Sequence, residues 1–157
     1  VVVIGGGNSA LEEALYLAKI CNKVTIITRG HQFRADKVLM EKARNNEKIV
    51  LIEHHETISF DGSTLLEKVV IRDRDTGQIT ELSARGAFIY IGFTPSSTIL
   101  SNFDILNDEK YIVVDQNCET KVKGLYAAGD CIEKQVRQIA TAVADGISCA
   151  SAIIKKF

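Results

Sequence analysis

The first third of the chain alternates short apolar segments with segments of helical period. Apolar segments cover residues 1 to 4, 23 to 28 and 49 to 53 and are rich in β-branched side chains, as buried strands are. The two segments between them carry apolar residues at helical spacing, the first at Ala10, Ala14, Leu17, Ala18 and Cys21 and the second, within residues 35 to 46, at Val38, Leu39 and Ala43. Strands joined by helices of this length predict right-handed crossovers and a parallel sheet.

The pattern changes after the third predicted strand. Strands are predicted over residues 56 to 60, 65 to 72 and 78 to 82, and they are separated by the turn sequences Asp61-Gly62 and Asp75-Thr76-Gly77. Short connections of this kind join neighbouring antiparallel strands. The segment therefore predicts an antiparallel β-meander.

A domain boundary is predicted near Gly92, where an apolar strand over residues 87 to 91 ends. Beyond it we expect short strands over residues 111 to 114 and 125 to 127, and a long amphipathic helix from about residue 135 to 156. The predicted fold class is α/β, with a Rossmann-like parallel sheet and an antiparallel meander in residues 1 to 92 and a second α/β region in residues 93 to 157.

Three glycines lie between the first predicted strand and the first predicted helix. The sequence Gly5-Gly6-Gly7-Asn8-Ser9-Ala10 fits GxGxxA in the strand-turn-helix context of a dinucleotide fingerprint. Gly5 suits the tight turn, Gly7 lets the backbone approach a pyrophosphate, and Ala10 permits close packing of helix on strand. The free amides at the helix N-terminus then bind the anion. We also expect Ser9 and Glu12 to form a capping box.

The residues after the second strand indicate which nicotinamide cofactor binds. In this type of domain an acidic residue there accepts a hydrogen bond from the ribose 2'-hydroxyl of NAD, whereas arginine accommodates the 2'-phosphate of NADP. This chain has Thr28-Arg29 at that point, and Arg34 follows near the start of the second helix. Two guanidinium groups favour a 2'-phosphate. Solvated surface arginines are the alternative interpretation.

A second candidate site lies at Gly129-Asp130, between a short strand and the last helix. The Asp130 carboxylate can accept hydrogen bonds from sugar-like hydroxyls while the helix N-terminus faces a phosphate. The same spacing also suits an N-cap for that helix.

Composition and charge exclude several other functions. Hydrophobic residues make up 46% and charged residues 25% of the 157-residue chain, which is typical of a globular protein. Nineteen basic and twenty acidic residues give a net charge of -1, so we expect neither a nucleic acid nor a membrane partner. The longest weakly polar stretch, residues 139 to 154, is shorter than the roughly 20 apolar residues of a membrane-spanning helix.

The cysteines and histidines show no ligand spacing. The four cysteines lie at least 13 residues apart, and the adjacent His54 and His55 would point to opposite faces of a strand. We therefore expect reduced thiols and no metal site. The apolar segment that starts at Val1 lacks a basic region before it, so we interpret it as a core strand of a longer polypeptide and not as a signal peptide.

Four segments together resemble the low-molecular-weight thioredoxin reductases, which are class II pyridine nucleotide-disulfide oxidoreductases. VVVIGGGNSALEEALYLAK resembles the NADPH-binding strand, turn and helix of that family, and ITRGHQFRADK resembles its HRRxxFRA segment. GAFIYIGFTPSS is similar to the return into the flavin domain, and TKVKGLYAAGDC with VRQIATAVADG resembles the flavin-binding C-terminal segment. The match covers essentially the whole chain in the same order.

The resemblance implies two sets of cofactor-binding residues. For NADPH these are the fingerprint residues, the two arginines and the end of the last strand of the first domain: Gly5, Gly7, Asn8, Ser9, Ala10, Arg29, Arg34, Ile91 and Gly92. For FAD they are Gly129 and Asp130 at the ribityl and phosphate region, and Arg137, Gln138 and Ile139 near the flavin ring. Residues 1 to 92 would then be the NAD(P)H-binding domain, and residues 93 to 157 the C-terminal portion of the FAD-binding domain.

The resemblance also implies an activity for the complete protein. NADPH would reduce FAD, the reduced flavin would reduce a CxxC disulfide, and the dithiol would reduce a thioredoxin-like partner. The family is cytoplasmic and homodimeric, and its CxxC precedes the strand that begins this chain. We therefore expect the catalytic cysteines upstream of Val1 and no catalytic residue in this fragment, which would be inactive alone.

Three alternatives remain open at this stage. A dithiol-free ferredoxin or flavodoxin reductase of the same fold would use the same nucleotide sites, and a peroxiredoxin reductase of the family would use NADH. Gly30 stands where the family has its second arginine, and Thr28 where it has histidine, which weakens the preference for NADPH. The third alternative is a nucleotide-binding module without catalytic activity.

Overall fold

The computed structural model describes residues 1 to 156 and divides into two compact units, Val1–Gly92 and a second unit that begins at Phe93. The first unit contains β1 (Val2–Ile4), α1 (Asn8–Ile20), β2 (Val24–Ile27), α2 (Lys37–Arg44), β3 (Ile49–Ile52), β4 (His55–Asp61), β5 (Lys68–Asp73), β6 (Ile79–Ser83) and β7 (Ala87–Ile89). The second unit contains a 3-10 helix (Ser96–Phe103) and α3 (Ile139–Ile154). The predicted α/β class, with one parallel and one antiparallel sheet, is confirmed.

The parallel sheet of the first unit has the strand order β3-β2-β1-β7, and all its pairs are parallel. Successive side chains of a strand point to opposite faces, so the sheet contributes to two cores. Val3 and Ile26 belong to the core formed with α1 and α2, whereas Val2 and Ile27 pack with Val69 of β5 and its neighbours on the other face. Both faces are covered, which explains why β1 is uniformly apolar and why β2 is apolar except for the buried Thr25.

The two helices bury the apolar faces that cover the sheet. In α1 the predicted positions Ala10, Ala14, Leu17 and Ala18 are buried together with Leu11. In α2 the buried residues are Met40 and Ala43, while Val38 is 61% exposed. The prediction of Val38 on the inner face is therefore wrong, because the short α2 turns Met40, three residues before Ala43, toward the sheet.

The antiparallel sheet has the order β4-β5-β6 and confirms the predicted meander. Its central strand carries the buried residues Val69, Val70 and Ile71, and the pairing of β4 with β5 is interrupted between Thr57 and Ser59. This sheet and the helices thus enclose the parallel sheet in three layers.

The second unit packs around Ile105, Ile112 and Ile132. The predicted strands over residues 111 to 114 and 125 to 127 are reduced to single bridges, in which Ile112 pairs with Leu106 and Ile132, and Tyr126 with Glu119. The last helix begins at Ile139, later than predicted, because the backbone at Gln138 is extended. Within the described residues, every helix is too short or too polar to cross a membrane.

The start of α1 differs from the predicted capping box. Gly7 is the N-cap, with extended backbone at φ -97° and ψ -177°, and the amide of Leu11 donates to its carbonyl at 3.3 Å. Ser9 is consequently the second residue inside the helix and cannot cap it, and Glu12 lies beyond the first turn. Among the described residues, none caps this helix end with its side chain, so the amides of the first turn stay free.

Gly5→Ala is expected to destabilise the first unit strongly, and Gly7→Ala is the matched control. Gly5 has φ +145°, and a Cβ there would collide with the Tyr90 carbonyl oxygen. Gly7 has an ordinary φ, and a Cβ there would meet open space. Urea denaturation should show a loss of at least about 2 kcal/mol for Gly5→Ala and at most about 1 kcal/mol for Gly7→Ala. Equal losses would contradict this account of the turn.

Glu119→Gln is expected to reduce the stability of the second unit at neutral pH and to have no such effect in acid. The Lys156 ammonium and the Gly124 amide, which donates to the Glu119 carboxylate at 2.9 Å, hold the pKa of that carboxyl below its usual range. A depressed carboxyl pKa stabilises the fold above the unfolded value of about 4.3, and this contribution is lost as the pH falls through the folded value.

Amide exchange at Thr120 and Ala127, whose N–H groups bond to Leu125 and Cys118, measures this effect. Exchange should be faster in Glu119→Gln than in the wild type at pH 7, and the difference should disappear in acid. The exposed Glu109→Gln is the control. A difference that persists unchanged in acid, after the Glu119 carboxylate has been protonated in the folded protein, would contradict the assignment.

Candidate functional site

The first candidate site lies where the order of the parallel sheet reverses direction. The chain proceeds from β1 outward to β2 and β3 and then returns to the other side of β1 as β7. In open α/β sheets, ligands bind beyond the carboxyl ends of the strands at such a reversal. Here β1 leads into Gly5 and β7 leads into Tyr90, whose amide donates to the Ile4 carbonyl at 2.6 Å.

Each glycine of the turn after β1 has a different surrounding. Gly5 is pressed against the Tyr90 backbone, and Ala10 also lies within 3.2 Å of the position of a Gly5 Cβ. A Cβ on Gly6 would come within 2.5 Å of the Thr28 hydroxyl, so Gly6 is required for contact with the end of β2. Gly7 faces open space beside the uncapped start of α1. This is the geometry in which a backbone binds a phosphate closely.

Asn8 joins this turn to the segment before α2. Its side-chain amide donates to the Asp36 carboxylate at 2.9 Å, and its side-chain carbonyl accepts from the Asp36 amide at 2.8 Å. The Arg34 amide also donates to the Gly6 carbonyl at 2.7 Å. Asp36 leaves no signal in the local sequence spacing, because its partner Asn8 lies 28 residues away.

The predicted arginines follow β2, at the same edge of the sheet as the glycine turn, where the carboxyl ends of the strands lie. Arg29 and Arg34 are exposed, while Thr28 is 7% exposed and its hydroxyl accepts from the Gly30 amide at 3.3 Å. The Arg74 guanidinium donates to the Arg29 carbonyl at 3.1 Å and fixes the backbone there. The structure thus brings the segment that carries Arg29 and Arg34 next to the glycine turn, through Gly6 and Asn8.

Tyr90, which follows β7, is a candidate residue that no sequence motif marks. Partial burial and the neighbouring Glu13 carboxylate raise the pKa of Tyr90. The Glu13 carboxylate therefore lies close to the Tyr90 phenol. The predicted residues Ile91 and Gly92 follow Tyr90 and are exposed, and Gly92 has φ +92°.

The second candidate site lies entirely in the second unit. Gly129 has φ +89°, and the exposed Asp130 that follows it pairs with Lys134, with 3.3 Å between Nζ and Oδ1. Lys134 is also 2.6 Å from Asp145 of α3, whose carboxylate is the main cause that raises the pKa of the Lys134 ammonium. The N-cap of α3 is Gln138, so the alternative interpretation of Asp130 as the cap is wrong.

Arg137 lies against an aromatic ring in the same unit. Its guanidinium carbon is 3.7 Å from the centre of the Tyr111 ring, and one terminal nitrogen donates to the Ile132 carbonyl at 3.5 Å. Its Nε is buried and has no partner among the described residues. A buried donor of this kind is costly unless something accepts from it. The neighbouring Gln138 and Ile139 are exposed at the start of α3.

Comparison with known proteins defines the class of the chain. Residues 1–146 match the family model of pyridine nucleotide-disulphide oxidoreductases, and the chain belongs to that family. Within it, the resemblance to the low-molecular-weight thioredoxin reductases is confirmed. Thioredoxin reductase of Ureaplasma parvum is 42% identical over 151 residues, which are 96% of this chain and 49% of the relative.

Two further comparisons agree. The bifunctional thioredoxin reductase/thioredoxin of Mycobacterium leprae is 38% identical over 98% of this chain and 33% of its own length. The crystal structure of Lactococcus lactis thioredoxin reductase superposes with a TM-score of 0.84 at 37% identity, over 98% of this chain and 51% of that one. The chain spans about half the length of the thioredoxin reductases that it matches.

Asn8→Ala is expected to release the segment before α2 from the glycine turn. Two hydrogen bonds are lost, each worth about 1 kcal/mol, and the Asp36 amide loses its acceptor. Amide exchange at Asp36 should accelerate at least about fivefold. The exposed Asn22→Ala is the control and should leave Asp36 protected. Unchanged exchange in Asn8→Ala would show that these bonds do not hold the segment.

Proposed function

We propose that the first unit binds NADPH at the strand reversal between β1 and β7. One observation carries the proposal: the uncapped start of α1 faces open space at Gly7, beside the segment with Arg29 and Arg34. The free amides suit the pyrophosphate, with Asn8 and Ser9 at the first positions of the helix. Ala10, which is 1% exposed, allows the close approach of α1 to β1.

The arginines support NADPH over NADH. Both guanidinium groups are exposed and lack a carboxylate partner within the described residues, so they are available to a 2'-phosphate. Gly30 stands where the family motif has an arginine, so the preference for NADPH is smaller than with the complete motif. In this proposal NADH also binds, but more weakly than NADPH. Ile91 and Gly92, at the carboxyl end of β7, would contact the nicotinamide half.

The second unit fits the C-terminal part of an FAD site. When bound, FAD supplies the two-electron step between a nicotinamide and a disulfide. The buried Nε of Arg137, which lacks a described acceptor, supports a ligand beside it. Asp130, which follows Gly129, would accept from ribityl hydroxyls, and Gln138 and Ile139 would lie at the flavin edge. The exposed apolar residues of α3, at Ile139, Val143, Ile147 and Ile154, support a larger domain around this helix.

The complete protein would then be a flavin-dependent disulfide reductase. In this proposal the CxxC lies before Val1, and its dithiol reduces a thioredoxin-like partner. The fusion of both activities in the Mycobacterium leprae relative supports a partner of that kind. A homodimer in the cytoplasm is part of the same proposal, which rests on the family.

Arg29→Ala is expected to weaken NADPH binding about 10- to 100-fold and NADH binding very little. A guanidinium-phosphate contact is worth roughly 1.5 to 3 kcal/mol, and NADH has no 2'-phosphate. Isothermal titration of the purified chain with each nucleotide measures the difference. Arg44→Ala removes an exposed charge from the end of α2 and is the matched control.

Equal losses for both nucleotides would refute the assignment of Arg29. For the complete protein, turnover with NADPH and oxidised thioredoxin tests the reductase proposal. Electron transfer to ferredoxin without thioredoxin reduction would instead favour the dithiol-free enzyme, and cofactor binding without any turnover would favour the nucleotide-binding module.

A further inference from the structure

Three side chains that the proposed function does not use meet at one edge of the first unit. A nitrogen of His31, a nitrogen of His54 and a carboxylate oxygen of Asp75 all lie within 4.8 Å of one another. His54 Nδ1 is 2.7 Å from Asp75 Oδ2, and the His31 and His54 rings stack with their centres 3.6 Å apart. We propose that His31, His54 and Asp75 bind one divalent transition-metal ion, with zinc the best fit.

Three separate connections supply these ligands. His31 follows β2, His54 lies between β3 and β4, and Asp75 lies in the turn between β5 and β6. They are distant in sequence, which is why residue spacing gave no metal pattern. The tertiary structure alone brings them together, and an ion held by all three would join the parallel sheet to the meander.

Backbone hydrogen bonds hold two of the ligands in place without an ion. The His54 amide donates to the Gly30 carbonyl at 2.9 Å, and the His54 carbonyl accepts from the Arg74 amide at 3.0 Å. The Asp75 amide donates to the Asp73 carboxylate at 2.8 Å. These bonds constrain the backbone at His54 and Asp75 before binding, which reduces the entropy lost when an ion binds.

The donor set determines the class of ion. Two imidazole nitrogens and one carboxylate oxygen suit zinc and its neighbours, whereas calcium and magnesium prefer oxygen ligands only. Ligand atoms of a tetrahedral zinc site lie about 3.3 Å apart, so the ligand atoms that are farthest apart must close in by up to about 1.5 Å. His54 Nδ1 and Asp75 Oδ2, now 2.7 Å apart, must exchange their hydrogen bond for the ion and separate by about 0.6 Å if His54 binds through Nδ1. His31 is exposed and its ring can turn from the stack to do so. Water would occupy the fourth position.

Titration of the purified chain with zinc chloride tests the site. Isothermal titration gives the affinity, and NMR of the histidine rings gives the ligands. We expect the ring signals of His31 and His54 to shift together as one equivalent of zinc binds, and the affinity to fall at least tenfold in His31→Gln and in His54→Asn. Asparagine is chosen at position 54 because it tolerates the φ of +54° found there.

His55→Gln is the matched control. This histidine is adjacent in sequence, but its Nδ1 lies 2.6 Å from the Glu53 carbonyl and outside the cluster, so the variant should bind zinc like the wild type. Zinc that shifts only cysteine or His55 signals, or that binds His31→Gln as tightly as the wild type, would overturn the proposal. His31 is exposed, so this variant keeps the test valid even where His54→Asn does not fold.

Discussion

The contact between Gly5 and the Tyr90 backbone is the constraint on which the first unit depends. It sits where β1 and β7 end side by side, and only a residue without a Cβ permits it at φ +145°. Because this turn is tight, α1 starts at Asn8, and Gly7 lies at its uncapped end, where a Cβ would meet open space. The open space at the helix start, where we propose that the pyrophosphate binds, is thus a consequence of how closely two strands and one helix meet.

A second set of interactions holds the segment that carries the proposed 2'-phosphate contacts. The paired hydrogen bonds of Asn8 with Asp36, and the bond from the Arg34 amide to Gly6, hold the segment after β2 against the glycine turn. A pyrophosphate and a 2'-phosphate lie at opposite ends of one adenosine, so their binding groups must keep a fixed separation. These short polar contacts fix it without using the guanidinium of Arg29 or Arg34.

In the second unit, ion pairs hold the proposed ligand-binding residues in place. Lys134 pairs with both Asp130 and Asp145, and in this way ties the proposed flavin contact to α3. Arg137 lies over the Tyr111 ring, and its buried Nε has no hydrogen-bond partner among residues 1 to 156. In each unit, the proposed ligand-binding residues are oriented by a second set of residues. Asp36 holds Asn8 in the first unit, and Lys134 and Tyr111 contact Asp130 and Arg137 in the second.

The local sequence pattern predicts the strands, helices and meander of the first unit, because burial of one face imposes a period on the apolar residues. It also predicts the glycine turn, because the residues of that turn are consecutive. It did not place the start of α1, the inner face of α2 or the single bridges of the second unit, which depend on how neighbouring segments pack. The partnership of Asn8 with Asp36 and the meeting of His31, His54 and Asp75 depend on the tertiary structure, because these residues lie far apart along the chain. The pairing of β1 with β2 brings Asn8 next to Asp36, and the packing of the two sheets brings Asp75 to the two histidines. No local sequence pattern records either arrangement.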